Sequence, residues 1–185
     1  MAERKRADAR RNERALLDAA AAVFVRSGVD APVRDIAAEA GVGMGTIYRH
    51  FPNRADLVIA VYRHQVDACA EVGRTLLEKE PTPYAALRVW VDLFVDFLIT
   101  KHGLAAALQS ETARFESLHA YFVDNLVPVC AALLDAAVES GEIRPGVDPY
   151  GLLRGIGNLC VGGGGDSPYD ARQLVGLLIA GLRAT

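Results

Sequence analysis

Apolar residues return every three to four positions along almost the whole chain, and this spacing constrains the fold more than any other feature. Such a period lines apolar side chains along one face of an α-helix, whereas the strict alternation typical of a half-buried strand is absent. Glycine or proline falls between the successive segments, for example at residues 27–28, 41–43 and 81–83. The sequence therefore predicts an all-α protein.

The breaks divide the chain into nine predicted helices. Their expected bounds are 9–27, 33–40, 42–51, 53–79, 84–101, 104–110, 111–140, 150–161 and 169–182. In the first helix the apolar face consists of Leu16, Leu17, Ala20, Val23 and Phe24. Pro32 is expected in the first turn of the second helix, with Asp30 or Ala31 as the capping residue.

Length and composition indicate a globular protein. A chain of 185 residues that is 51% hydrophobic can bury a core without disulfides or metals. Its three widely spaced cysteines support neither a disulfide framework nor a zinc site, so we expect a cytoplasmic protein. The basic start and the apolar run after it are interrupted by Asp18, which favours a soluble helix over a secretory signal. The most apolar window carries three charged residues, so no membrane partner is expected.

Charge is divided unevenly along the chain. Up to Arg63 there are 11 basic and 8 acidic residues, a net charge of +3, whereas the remainder carries 9 basic and 15 acidic residues, a net charge of -6. A basic first third suggests an anionic partner for that part alone. We predict two domains, residues 1–62 and residues 63–185, with the boundary inside the fourth helix.

Residues 33–51 have the spacing of a DNA-binding helix-turn-helix, with the turn at 41–43. Ile47 and Phe51 stand four residues apart and should face inward with Ile36, Ala37 and Val42. The opposite side of the second helix would then expose Thr46, Tyr48, Arg49 and His50, with Gly45 on the same side as Arg49. This side is suited to close contact with a duplex.

The exposed residue types fit the chemistry of DNA. Thr46, Tyr48 and His50 can donate hydrogen bonds to phosphates, Arg49 can pair with guanine or a phosphate, and Met44 and the Tyr48 ring can touch thymine methyl groups. We expect two further arginines to clamp the DNA backbone, Arg34 and Arg54. Arg4, Lys5 and Arg6 are candidates for a minor-groove arm, the alternative being a frayed, solvated tail.

The stretch VRDIAAEAGVGMGTIYRHFPNRADLV, residues 33–58, resembles the TetR family of bacterial transcriptional regulators, and with the preceding helix the likeness covers about 50 residues. The resemblance implies a TetR-like homodimeric repressor that leaves its operator when a small molecule binds the C-terminal core. It places the family's DNA contacts at Arg34, Met44, Gly45, Thr46, Tyr48, Arg49, His50 and Arg54. The chain departs from the family at Pro32 and Gly43, where a hydroxyl or other polar residue is usual; neither change removes an expected base contact.

Beyond the fourth helix, aromatic and polar residues could line a pocket for an apolar or aromatic effector. The candidates are Trp90, Phe94, Phe97, Phe115, Phe122 and Asn125. The alternative for each aromatic residue is an ordinary place in the core. No metal, cofactor or catalytic set is predicted, because one Glu116/His119 pair and the glycines at 162–165 lack the partners that such sites need.

The last two predicted helices are apolar around much of their circumference and contain four glycines, Gly155, Gly157, Gly176 and Gly181. We expect them to form a four-helix dimer interface with a second copy, the alternative being a monomer that buries them in its own core. Two other functions stay open from the sequence. They are a ligand-independent architectural DNA-binding protein, and a helical-bundle carrier or enzyme.

Overall fold

The computed structural model describes the backbone of residues 2–108, 112–161 and 169–184, and the side chains of residues 11–98, 116–160 and 169–184. In these ranges the chain forms eight α-helices, and its β-structure is one isolated bridge between Ile143 and Arg183. The helices are α1 Ala2–Ser27, α2 Val33–Ala40, α3 Met44–His50, α4 Arg54–Lys79, α5 Pro83–Leu108, α6 Thr112–Glu139, α7 Pro149–Val161 and α8 Ala171–Ala180. The predicted all-α class is confirmed.

The predicted count of nine helices is one too high. The segments expected at 84–101 and 104–110 form one continuous helix, α5. A glycine at 103 lies between them in the sequence, but one glycine costs a helix only about 1 kcal/mol relative to alanine. A helix of 26 residues tolerates such a cost.

Four helices begin at a polar residue whose side chain accepts a hydrogen bond from the backbone N–H three residues later. This bond satisfies one of the N–H groups that the first turn of a helix leaves without a partner. The pairs are Asn53 with Asp56 (2.9 Å), Thr82 with Ala85 (3.2 Å), Asp148 with Gly151 (2.5 Å) and Asp170 with Gln173 (3.1 Å).

The start of α2 differs from the prediction. Pro32 itself is the N-cap residue, in an extended conformation (φ -58°, ψ 140°), and neither Asp30 nor Ala31 caps the helix. No side chain caps α2, and the Pro32 carbonyl accepts the first hydrogen bond, from the Asp35 N–H at 2.9 Å. The prediction was wrong because the fixed φ of proline also suits the extended N-cap position, one residue before the helix begins.

The chain divides into two compact units. The first unit consists of residues 1–65 and 100–118, and the second of residues 66–99 and 119–185. In the first unit the predicted inner face of α1 is buried, as are Val29 and Ala31 in the loop that follows. The second unit has its core around Trp90, Phe94 and Leu126, each with no exposed surface.

Helix α6 contains the segment Glu116–Glu139, which among the described residues is long and apolar enough to cross a membrane by length and composition. Its apolar side chains are buried at helical spacing, as in the core helix of a globular unit. The buried ones are Leu118, Phe122, Leu126, Val129, Cys130, Leu133, Leu134 and Ala137.

Candidate nucleic-acid interface

Gly41 makes the turn between α2 and α3. Its φ of +65° lies in the left-handed region, which residues with a Cβ adopt at a cost. The Gly41 N–H donates to the Ala38 carbonyl at 3.3 Å, and the Val42 N–H donates to the Ala37 carbonyl at 3.0 Å. These two bonds form a Schellman motif, which ends α2 and redirects the chain into α3.

The inner side of α3 packs as the sequence predicts. Ile47 is 1% exposed and Phe51, the C-cap residue, is 7% exposed. Ile36 and Ala37 of α2 are buried as well, and Val42 is partly buried. Because α3 has only seven residues, this packing and not its intrinsic helicity holds it in place.

The opposite side of α3 is open to solvent. Met44 and Tyr48 are each half exposed, and Arg49 and His50 are exposed too. A Cβ at Gly45 would meet no atom within 4 Å, so nothing in the described part of the chain requires glycine there. Thr46 is only partly buried by its neighbours and lines a groove with Arg49 and His50, so it lies at the edge of the exposed side.

The two predicted clamp residues have different surroundings. Arg34 is 77% exposed, with its Nε 3.4 Å from a carboxylate oxygen of Asp35. Arg54 is turned inward: its guanidinium donates to the carbonyls of Val29 and Ala31 and lies 5.9 Å from the centre of the Phe24 ring. The structure therefore brings Arg34 to the surface and uses Arg54 to tie the start of α4 to the loop between α1 and α2.

The predicted basic arm is only partly covered by the structure. The backbone of α1 is helical from Ala2, whereas the side chains of Arg4, Lys5 and Arg6 lie outside the described residues. Their contact with DNA stays a prediction.

In the second unit, four of the predicted ligand-binding aromatic residues pack against one another in one cluster. The ring centres of Trp90 and Phe94 are 5.8 Å apart, and Phe122 lies 5.8 Å from Phe94 and 6.4 Å from Phe97. All four rings are buried, and Trp90 Nε1 donates to the Cys69 carbonyl at 3.1 Å. The cluster is thus a filled part of the core in this structure.

Asn125 lies apart from this cluster, at a cleft of about 240 Å³ between α4 and α6. The cleft is lined by Gly73, Arg74, Leu77, Asp124, Asn125, Pro128, Val129, Ala132 and Leu133. The Asn125 amide nitrogen donates to the Tyr121 carbonyl at 2.8 Å. The side chain of Phe115 lies outside the described residues, so the structure does not place it in either group.

The amino-acid sequence matches two family profiles, one over the helix-turn-helix and one over most of the residues that follow it. The profile "Bacterial regulatory proteins, tetR family" matches residues 16–61. The profile "Transcriptional regulator SbtR-like, C-terminal domain" matches residues 82–184, more than half of the chain. The chain belongs to the TetR family of DNA-binding transcriptional regulators.

Solved structures of TetR-family proteins resemble the whole chain. The regulator SCO0520 from Streptomyces coelicolor is 34% identical with a TM-score of 0.79, and the match covers 92% of this chain and 98% of that one. A regulator from Mycobacterium vanbaalenii is 33% identical with a TM-score of 0.72, over 97% and 99% of the two chains. An HTH-type regulator from Staphylococcus aureus is 26% identical over 122 residues, which span 65% of this chain and 66% of that relative.

One residue of this TetR-family regulator that sequence reasoning missed is Gly73, in the middle of α4. A Cβ at Gly73 would lie 2.4 Å from Val129 Cγ1 and 2.6 Å from Trp90 Nε1, too close for any real Cβ atom. Glycine therefore lets α4 approach the Trp90 ring and α6 at this point. The signal in the sequence was a single glycine inside a strongly helical segment.

The regulator's three cysteines are buried and free. Burial raises the pKa of the Cys69 and Cys130 thiols to about 12 and raises the pKa of Cys160 as well. Thiolates form poorly at such sites, so these cysteines behave as small apolar core residues. Among the described residues, no group of three or more histidine, cysteine or acidic side chains is placed to hold a metal ion.

Proposed function

We propose that this regulator is a homodimeric repressor that binds a palindromic operator and leaves it when a small molecule binds the second unit. The observation that carries the proposal is the two-sided character of α3. Ile47 and Phe51 anchor one side in the core, while Tyr48 and Arg49 stand exposed on the other. Such a helix can enter a major groove as a rigid element.

The proposed DNA contacts follow from exposure and chemistry. Arg49 reads a guanine edge or pairs with a phosphate, and Met44 and the Tyr48 ring contact thymine methyl groups. Thr46, His50 and the Tyr48 hydroxyl donate to phosphates, and Gly45 lets the backbone of α3 come close to the duplex. The exposed Arg34 and the basic residues Arg4, Lys5 and Arg6 extend the contact along the DNA backbone.

Arg54 is left out of this set. Its guanidinium is already engaged with two backbone carbonyls in the first unit. Reaching a phosphate would break both bonds and leave the carbonyls of Val29 and Ala31 without these donors. We assign it a structural role at the start of α4.

We assign residues 1–62 to DNA binding and residues 63–185 to ligand binding and dimerisation. The family profiles support this division, because the first ends at residue 61 and the second begins at residue 82. The cleft beside Asn125 supports an effector of apolar or aromatic character, because apolar atoms make up most of its wall. Ligand binding would favour a spacing of the two recognition helices that no longer fits the operator.

The dimer is supported by the surface of α7 and α8. Leu177 is 64% exposed and Leu178 is 37% exposed, so α8 presents large apolar side chains that a second copy could cover. A Cβ at Gly155, Gly157 or Gly176 would meet no atom within 4 Å, so a second copy could approach these helices closely. Two recognition helices about 34 Å apart would then meet consecutive turns of one duplex face.

Enrichment sequencing of randomised duplexes near physiological salt tests the proposal. Wild-type protein should enrich a palindrome, and the enrichment should weaken or disappear for Tyr48→Ala and Arg49→Ala. The control Val25→Ala, on the exposed side of α1, should enrich the same site as the wild type. Equal recovery of unrelated duplexes would favour an architectural DNA-binding protein instead. An operator complex that no cellular metabolite extract dissociates would contradict effector release.

A further inference from the structure

A groove of about 370 Å³ lies in the first unit beside the exposed side of α3. Its lining residues are Asn12, Ala15, Leu16, Ala40, Val42, Thr46, Arg49 and His50. Only three of these eight belong to the proposed contacts with DNA. The other five come from α1, the end of α2 and the turn.

Two helix faces form the walls of the groove. Asn12, Ala15 and Leu16 are spaced i, i+3, i+4 on α1, and Thr46, Arg49 and His50 have the same spacing on α3. Residues with this spacing stand one above another on a single face of a helix. The faces of α1 and α3 therefore line one channel, and Ala40 and Val42 complete its lining.

The chemistry of the groove is complementary to a nucleic-acid strand. Four polar side chains line it, those of Asn12, Thr46, Arg49 and His50, and none of its eight lining residues is acidic. In the part of the chain that the structure describes, none of these four side chains has a hydrogen-bond partner. The remaining lining, including Ala40, is apolar.

We propose that the groove holds the sugar–phosphate backbone of one operator strand, and that Asn12 is a phosphate-binding residue. The proposal rests on the proposed DNA binding by α3, because Arg49 and His50 belong to both surfaces. A strand beside them presents anionic oxygens to the donors and the apolar face of deoxyribose to Ala15 and Val42. Contacts to the backbone position a protein on the duplex without reading its sequence, so Asn12 sets the register of α3.

Charge substitutions at Asn12 test the proposal through the salt dependence of binding. Asn12→Lys should tighten binding to the enriched operator and to a scrambled duplex alike, and should steepen the slope of log K against log salt by about 0.9 per half-site. Asn12→Asp should weaken binding to both duplexes, by about tenfold, because a carboxylate would face the phosphate.

Val25→Lys is the matched control. It adds the same charge to the same helix at another exposed position, about 20 Å along the helix axis from Asn12. That distance exceeds the Debye length of about 10 Å at 0.1 M salt, so its effect on the slope should be small. Equal slopes for the two lysine variants, both shown to be folded by circular dichroism, would overturn the proposal.

Local cleavage of DNA gives a second readout. The single new thiol of Asn12→Cys can be labelled with an iron chelate that cleaves DNA close to it. The native thiols should escape labelling, because they are buried and their raised pKa makes them poor nucleophiles. Cleavage should cluster at one backbone position in each half-site, whereas Val25→Cys should give no such cluster. Operator binding by the labelled protein without clustered cleavage would overturn the proposal alone, and a wild-type protein that binds no duplex would overturn the proposed function as well.

Discussion

Arg34 and Arg54 are the same residue type on either side of the helix-turn-helix, yet they have opposite surroundings. Arg34 is 77% exposed beside Asp35. Arg54 is partly buried, with its guanidinium on the carbonyls of Val29 and Ala31 and its Nε buried without a partner. Exposure leaves Arg34 available for a phosphate, whereas burial commits Arg54 to the fold.

Arg54→Ala should therefore lower the free energy of unfolding by about 3 kcal/mol, since hydrogen bonds to charged groups contribute roughly 1.5–3 kcal/mol each and do not simply add. Thermal unfolding should show a Tm lower by several degrees. Arg34→Ala is the control, with an unchanged Tm and weaker operator binding. Equal Tm values for Arg54→Ala and Arg34→Ala would contradict the structural role of Arg54.

At the scale of elements, the close approach of α4 to its neighbours depends on Gly73. Gly73→Ala should lower the free energy of unfolding by about 1–3 kcal/mol, because the added methyl group meets Val129 and the Trp90 ring. Gly45→Ala is the matched control, since its Cβ has open space around it and should not lower the Tm. A Gly73→Ala variant as stable as the wild type, measured by urea unfolding, would show that the helices move apart without cost.

Glu142, in the loop after α6, binds the backbone at the start of α5. Its carboxylate accepts hydrogen bonds from the Tyr84 N–H and the Ser140 hydroxyl, both at 3.0 Å. The bond from the Tyr84 N–H is the main cause of a pKa for Glu142 below its usual range, with further lowering by the Thr82 and Ser140 side chains and Arg183. The carboxylate thus stabilises an N–H group that α5 cannot satisfy itself.

Because the pKa of Glu142 is lowered, its contribution to the stability of the fold should depend on pH. The contribution of Glu142 to stability should be fully present above the unfolded-state pKa of about 4.3 and should be lost as the pH falls through the lower folded-state pKa. Urea unfolding of wild type and Glu142→Gln between pH 3 and 7 should give a difference that shrinks at acid pH. The control Glu139→Gln, at an exposed position on α6, should differ little from wild type in its free energy of unfolding. A difference between wild type and Glu142→Gln that stays constant across this pH range would contradict the stabilising role of the Glu142 carboxylate.

For the whole molecule, the apolar surface of α8 should determine the oligomeric state. Leu177→Glu places a charge in the proposed dimer interface and should give a monomer by analytical ultracentrifugation. Operator affinity should then fall by about 10²–10⁴-fold, because the second half-site is no longer bound intramolecularly. Val25→Glu, at an apolar residue of α1 that is 57% exposed, should remain dimeric. A dimeric Leu177→Glu variant would show that the interface lies elsewhere.

The sequence by itself determined the all-α class, the approximate helix bounds and the two sides of α3. These features depend on residues close together along the chain, through helical periodicity, caps and the left-handed Gly41. Ile47 and Phe51 could be assigned inward because their spacing of four residues leaves no other common face.

Only the tertiary structure decided where the longer-range contacts form. Arg54 meets carbonyls 23 and 25 residues earlier, and Gly73 meets Trp90 and Val129 across helix interfaces. The groove beside α3 likewise combines Asn12 with residues more than 30 positions later. Local patterns indicate which side of a helix is apolar, but they do not indicate which helix packs against that side or how closely. The pairing of helices and the distance between them depend on the shape and volume of all the packed side chains together.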